Sequence, residues 1–158
     1  MLTRAALPRP STLTVATAFR SRSDASSELA FPCGRNQLSM PQRSRQLAQA
    51  LQRLGVRSGE RVATLAWNGH RHLELYYAVS GSGAVLHTLN PRLAPEHVAY
   101  IANHAEDQII FVDLNLVPIV EGVWDQLKTV KHVVVMTDRA HMPTSAKIPN
   151  LLCYEELI

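Results

Sequence analysis

Three groups of residues could carry chemistry by type and spacing: the pair of glycines in Gly81-Ser82-Gly83, the histidines His70, His72 and His87 with Glu74 nearby, and the hydroxyls of Ser80 and Ser82. A G-x-G can belong to a dinucleotide loop, where glycines let the backbone approach a pyrophosphate at the start of a helix. Here the order is reversed, because the glycines end a helix-like run and open a strand-like one, and position 86 is Leu where a third glycine would stand. The histidines invite a metal site, since imidazole nitrogen and carboxylate oxygen are typical ligands. His70 and His72 are two apart on an expected helix, however, so they point to different faces and do not converge. His87 lies in an apolar run and reads as a core histidine whose ring bonds a neighbouring backbone group. His97 and His104 share a solvated helix face. Ser80 and Ser82 lack the strand-to-helix setting of a nucleophile elbow, and no GxxxxGK[ST] phosphate loop is present. Spacing and composition therefore assign no catalytic residue and no metal ligand.

The elements that must position these residues follow from periodicity. Arg61 to Ala66 is a short apolar run entered through Gly55 and Gly59, which predicts a strand covered on both faces. His70 to Val79 carries Leu73, Leu75, Tyr76, Tyr77 and Val79 as a broad stripe, which predicts a helix stopped by Gly81 and Gly83. Ala84 to Leu89 predicts a second buried strand, closed by a turn at Asn90-Pro91 because proline has no donor for a sheet ladder. Strand, helix and strand in this order make a parallel βαβ unit. Upstream, Leu47, Ala48, Leu51 and Leu54 recur at helical spacing from about Gln42, with Gly55 as the residue after the cap. Downstream come a helix opened by Ala94-Pro95-Glu96 with Val98, Ile101 and Ala105 inward, a strand at 108–112, a helix at about 116–127 and a strand at 131–136. A polar loop at 137–150 follows, then an approach strand and a first helical turn over 151–158. The predicted fold class is α/β, with βαβ units of a partly parallel sheet and helices on both faces.

Composition narrows the function classes. With 158 residues, 46% of them hydrophobic, the chain fits one domain with a core. A net charge of +3 with dispersed basic residues argues against nucleic acid as a partner. No window approaches the ~18 apolar residues of a membrane span, so no membrane span is expected. Cys33 and Cys153 lie near opposite ends without metal-finger spacing, which predicts free thiols in a reducing compartment. Residues 1–42 are expected to be an irregular segment outside the packed fold. Arg4, Arg9, Arg20 and Arg22 precede the first acid, Asp24, so a mitochondrial location stands as the alternative to a cytoplasmic one.

The stretch from Ala66 through Trp67-Asn68-Gly69 to Ala78 is no longer generic. Together with His87 to Leu93, Leu54-Gly55-Val56, Gly59 to Ala63, Tyr100 to Asp107 and Val133 to Asp138, it resembles the N-terminal part of the AMP-forming acyl-CoA synthetases, above all the medium- and long-chain fatty-acid branch. The resemblance runs from about Arg43 to the C-terminus, so residues 43–158 are expected to form part of an AMP-binding domain. It implies a complete protein that activates a fatty acid with ATP and magnesium to an acyl-adenylate, transfers the acyl group to CoA, and forms a possible homodimer. The phosphate loop, adenine segment, ribose-binding Asp and catalytic lysine of that family have no counterpart here, so the resemblance carries over no catalytic residue and implies no cofactor for this stretch alone. Trp67, Asn68, His87, Asn90 and Arg92 are the candidates for any contribution to a site, with core packing and turn formation as the alternatives. Two departures stand out: Phe31 to Pro41 differs from the family's opening segment, and Val79-Ser80-Gly81-Ser82-Gly83 replaces its usual Pro-Gly. The expectation is a chain without ligase activity on its own and prone to aggregate. A non-catalytic interaction module derived from the same fold is the competing expectation.

Overall fold

The computed structural model of the chain describes residues 38–145, 147–149 and 151–158. The expectations for residues 1–37, including the basic N-terminus and Cys33, lie outside the described residues. Helix α1 (Met40–Arg53) leads into strand β1 (Arg61–Leu65), followed by α2 (His70–Gly81), β2 (Val85–Leu89), α3 (Pro95–His104) and β3 (Ile109–Val112). A 3-10 turn, α4 (Val117–Val123) and a second 3-10 turn precede β4 (His132–Val135); β5 (Leu152–Cys153) and α5 (Tyr154–Leu157) close the order. The strands form one sheet in the order β2-β1-β3-β4-β5, and all four pairings are parallel, where a partly parallel sheet was expected.

Alternation along the strands sends side chains into two cores, one on each face. Ala63, Leu65, Ile110, Val112, Val133 and Val135 meet Val98, Ala99 and Ala102 of α3 and Val117, Val120 and Val123 of α4. Val62, Ile109, Phe111 and Val134 meet Leu47, Ala48 and Leu51 of α1, Leu75, Ala78 and Val79 of α2, and Tyr154. Strands buried on both sides are what a parallel sheet between helical layers requires, and β1, β3 and β4 meet that expectation.

Several expectations need correction. The second strand is not buried: β2 is an edge strand, and Val85 and Thr88 are exposed because β1 is its one neighbour among the described residues. Helix α2 buries only Leu75 and Val79 of the broad stripe expected of it. Its buried residues are His72, Glu74, Leu75, Ala78 and Val79, and Leu73, Tyr76 and Tyr77 face outward. Gly81 does not stop α2 but lies in its last turn; the chain reverses at Gly83, whose φ of +79° is open to glycine. Helix α1 begins at Met40, before the expected start near Gln42, because the Gln42 side chain reaches back to accept from the Ser39 N–H at 2.8 Å and hydroxyl at 2.9 Å. In α3 the inward residues are Val98, Ala99 and Ala102, with Ile101 and Ala105 half-buried. The helix expected over 116–127 is α-helical only over Val117–Val123 and tightens into 3-10 turns at both ends.

Candidate functional site

The order of strands reverses direction at β1, which has β2 on one side and β3 on the other. In open parallel sheets the crevice outside the carboxyl ends of the strands at such a switch point is where ligands bind. The chain leaves β1 through Ala66, Trp67 and Asn68 and leaves β3 through Asp113. Asp113 bridges the two exits: its N–H donates to the Leu65 carbonyl at 3.1 Å, and its Oδ2 accepts from the Trp67 N–H at 2.7 Å. The Trp67 carbonyl lies 3.2 Å from Nδ1 of His72, and His72 Nε2 lies 3.0 Å from Thr64 Oγ1. A carbonyl can only accept, so Nδ1 carries the proton of the neutral ring and Nε2 accepts from the threonine hydroxyl. Burial lowers the His72 pKa from its ordinary value, against the opposing pull of the Trp67 carbonyl and the Asp113 charge, which keeps the ring neutral. Both sides of the Trp67 peptide are thus held, and its indole stays 44% exposed.

Four of the five sequence candidates share this carboxyl edge. Trp67 and Asn68 follow β1, and Asn90 and Arg92 follow β2, whose Leu89 pairs in register with Leu65. Asn68, Asn90 and Arg92 are exposed. Asn90 acts as a turn former: its Oδ1 accepts from the Arg92 N–H at 3.0 Å and its carbonyl from the Leu93 N–H at 3.1 Å. The edge presents an aromatic ring, amides and a guanidinium, which suit binding; among the described residues it brings together no nucleophile and base.

The fifth candidate, His87, lies apart and differs from its expectation. It is half-buried rather than core, and Nδ1 sits 2.8 Å from Oδ2 of Asp107 rather than on a backbone group. A carboxylate takes this role because Asp107, fully buried just after the C-terminus of α3, needs a partner; its Oδ1 has none among the described residues. Burial raises the Asp107 pKa, opposed by the hydrogen bond and charge of His87 and by the charge of Arg61. The other histidines scatter: His70 is exposed, His72 is buried, and Glu74 is already engaged elsewhere.

That engagement is the feature sequence reasoning missed. Arg43 on α1 donates through Nε to Glu74 Oε1 at 2.7 Å and through its terminal nitrogens to both oxygens of Glu155 at 3.0 and 3.1 Å. Tyr154 donates to Glu74 Oε2 at 2.6 Å, and Arg71 donates to Glu155 at 2.7 Å and to the Met136 carbonyl at 3.3 Å. Burial alone would raise Glu155, but its hydrogen bonds and charge contacts with Arg43 and Arg71 outweigh that and hold it below the usual carboxylate value. Burial beside Glu74 pushes the Tyr154 phenol well up, so it remains a donor. No local signal could have found this cluster, since its members come from three helices and up to 112 residues apart. At the opposite, amino edge of the sheet, Arg57, Glu60, Lys131 and His132 border a depression of about 220 Å³.

The AMP-binding enzyme family matches residues 39–151. A long-chain-fatty-acid–CoA ligase of Thermus thermophilus is 58% identical over 74% of this chain and 20% of its own length. A 3-methylmercaptopropionyl-CoA ligase of Ruegeria lacuscaerulensis is 49% identical over 73% of this chain and 21% of its own length. Among solved structures, a fatty acyl CoA synthetase of Mycobacterium tuberculosis superposes with a TM-score of 0.59 at 26% identity, covering 61% of this chain and 20% of the other. An anthranilate CoA ligase shares the fold with a TM-score of 0.67 at 23% identity, covering 76% of this chain and 22% of the other. The chain thus spans about a fifth of the length of the curated relatives it matches.

Proposed function

Because this chain belongs to the AMP-binding enzyme family, we propose that it supplies the first α/β portion of a fatty-acid:CoA ligase. The complete enzyme activates a carboxylic acid with ATP and magnesium to an acyl-adenylate and pyrophosphate, then passes the acyl group to the thiol of CoA. In this reading residues 43–158 are part of the AMP-binding domain, and the chain alone has no ligase activity. The observation that carries the reading is the 58% identity to a Thermus thermophilus long-chain-fatty-acid–CoA ligase over 117 residues. The all-parallel sheet and its switch point support it, since that is the architecture on which nucleotide-using α/β enzymes build their sites. The chain's part is structural: β1, β3 and β4 form a rigid platform, and the Asp113 and His72 bonds fix the loop at its carboxyl edge.

The test is a chimera in which residues 39–158 replace the matching stretch of the Thermus ligase. Fatty-acid- and CoA-dependent release of AMP is expected within about tenfold of the parent, equivalent to about 1.4 kcal/mol of barrier. A monodisperse chimera without activity would overturn the reading, and thioester formation by the purified 158-residue chain would overturn its inactivity. The exposed aromatic stripe of α2 favours a second reading, a non-catalytic module that binds another chain. An inert chimera together with a stable complex captured by the chain would favour it.

A further inference from the structure

The depression at the amino edge of the sheet gathers positive groups that have no counterion. Arg57 and Lys131, both exposed, and the half-buried His132 and Gln108 line it. Among the described residues, neither the Arg57 guanidinium nor the Lys131 ammonium forms an ion pair, and neither these groups nor the His132 ring has a hydrogen-bond partner. Glu60, the one acid among the lining residues, is committed to the backbone, since its Oε2 accepts from the Arg57 N–H at 2.8 Å. The walls are held before any ligand arrives. On one side the Gly59 N–H and the Ser58 hydroxyl donate to the Gly83 carbonyl at 2.8 and 3.2 Å, and the Glu60 N–H donates to the Arg57 carbonyl at 3.1 Å. On the other side the Lys131 N–H donates to the Gln108 carbonyl at 2.8 Å. Donors on a fixed backbone lose less freedom on binding. The carbonyls that end α1 would repel an anion here, but those of Gln52 and Leu51 already accept from the Gly55 and Val56 N–H groups at 3.0 Å.

We propose that this depression binds a small phosphate-bearing anion between the Arg57 guanidinium and the Lys131 ammonium, with the His132 ring and the Gln108 amide as further donors. Like charges gathered round a concavity repel one another until an anion enters. Arg57 comes from the loop entering β1 and Lys131 from the residue before β4, so a planar fork and a point charge reach the ligand from two elements. Phosphate, with three charged oxygens, can satisfy both and still accept from the ring and the amide; a carboxylate has two. The volume of about 220 Å³ is below the ~300 Å³ of pockets that enclose a drug-sized ligand. The site therefore takes phosphate groups rather than a whole nucleotide. It lies at the edge opposite Trp67 and Arg92 and does not depend on the ligase reading.

Covalent labelling read residue by residue by mass spectrometry tests it, with phenylglyoxal for arginine and acetic anhydride for lysine. The labelling is done on the 158-residue chain at constant ionic strength, and the Thermus chimera takes its place if the chain does not stay in solution. The probes are pyrophosphate, inorganic phosphate and ATP, with acetate as the carboxylate control. Pyrophosphate is expected to slow labelling of both Arg57 and Lys131 by about fivefold or more, as charge-assisted bonds occupy them, while Arg92 and Lys147 label as before. In Arg57→Gln the pyrophosphate concentration that half-protects Lys131 is expected to rise about tenfold, because a charge-assisted bond is lost. In Glu60→Gln, which keeps an oxygen for the Arg57 N–H, that concentration is expected to fall about threefold. Whichever phosphate protects at the lowest concentration identifies the source as free phosphate, diphosphate or nucleotide. Protection by none of the three would overturn the proposal, as would equal protection by acetate or by pyrophosphate of Arg92 and Lys147 together. So would an Arg57→Gln chain in which Lys131 is protected at the original concentration.

Discussion

The sheet face covered by α3 and α4 is aliphatic, with Ala, Val, Leu and Ile filling the space between helices and strands. The face covered by α1, α2 and α5 encloses Ser44, Thr64, His72 and Glu74 among its apolar residues, and brings two arginines to its margin. The first face is satisfied by shape alone and tolerates exchange of like-sized residues. The second must complete a list of hydrogen bonds: Arg43, Arg71, Glu74, Tyr154 and Glu155 meet only if α1, α2 and α5 are all in place. A buried pair of this kind adds little over an apolar substitute but is costly to break. The polar face therefore acts as a check that distant segments have assembled.

The sharpest way to break the contrast is Glu74→Ala. It leaves the Tyr154 hydroxyl and one edge of the Arg43 guanidinium without their acceptor, and a loss of about 3–5 kcal/mol is expected. Replacing both partners, Arg43→Met with Glu74→Leu, is expected to recover only part of that loss, because no arginine then lacks its carboxylate, but the buried Tyr154 hydroxyl still lacks its acceptor and Glu155 keeps Arg71 alone. Ile110→Val on the aliphatic face, a fully buried site, is expected to lose about 0.5–1.5 kcal/mol. Urea midpoints at unchanged slope measure all three. A Glu74→Ala loss no larger than that of Ile110→Val would remove the distinction between the faces.

Acid should separate the faces next. Burial lowers the folded-state pKa of His72, and burial with the charge of Arg71 lowers that of His70. Below the unfolded-state value of about 6.5, the unfolded chain takes up protons that the folded chain refuses. The contribution of these groups is complete above that pH and is lost as pH falls toward the folded values. Glu155 adds a second stage, since its contribution is present above the unfolded value of about 4.3 and is lost as its depressed folded value is passed. Asp107, at the rim of the aliphatic face, has the opposite sign. Its folded pKa is raised, so its contribution is fully present below about 3.9 and is lost as pH rises through the folded value. Stability measured at pH 7.5 and 5.5 is expected to fall on acidification, and His72→Gln is expected to flatten that fall. An equal slope in the variant would mean that His72 does not titrate differently on folding.

Much of this architecture is legible from the chain. Runs such as Ile109-Ile110-Phe111-Val112 are apolar at every position, which a strand buried on both sides requires, and Gly55 marks the end of α1. Direction is less legible than apolarity. Leu73, Tyr76 and Tyr77 read as core because they are apolar, and His72 and Glu74 read as metal-ligand candidates because of their side-chain chemistry; the partners that decide otherwise lie in other elements. Of the candidate site residues, Trp67, Asn68, Asn90 and Arg92 come together because each follows one of two neighbouring parallel strands that end level. His87 does not, because it lies inside its strand, and its partner Asp107 is 20 residues away with no period connecting them.

The smallest expected effect tests whether the rim of the aliphatic face stores strain. Three helices end in the same way, with paired backbone bonds from the two residues after the cap: Gly55 and Val56 after α1, Gly83 and Ala84 after α2, and Glu106 and Asp107 after α3. The first two use glycine at φ +86° and +79°, whereas the third holds Glu106 at +55°. A side chain there costs about 1–2 kcal/mol. Glu106→Gly removes that cost, but frees the unfolded chain by about 0.4–1 kcal/mol and deletes the ion pair to Arg61. That pair is 2.7 Å long with the Glu106 side chain 70% exposed, so it contributes about 0–1 kcal/mol. The balance is a gain of about 0.3 kcal/mol, read as a higher urea midpoint. Salt separates the parts: the ion pair is screened at high ionic strength and the backbone strain is not, so the gain is expected to grow with added salt. A gain that shrinks with salt, or a loss at every ionic strength, would mean that the Arg61 contact and not the backbone decides which residue suits position 106.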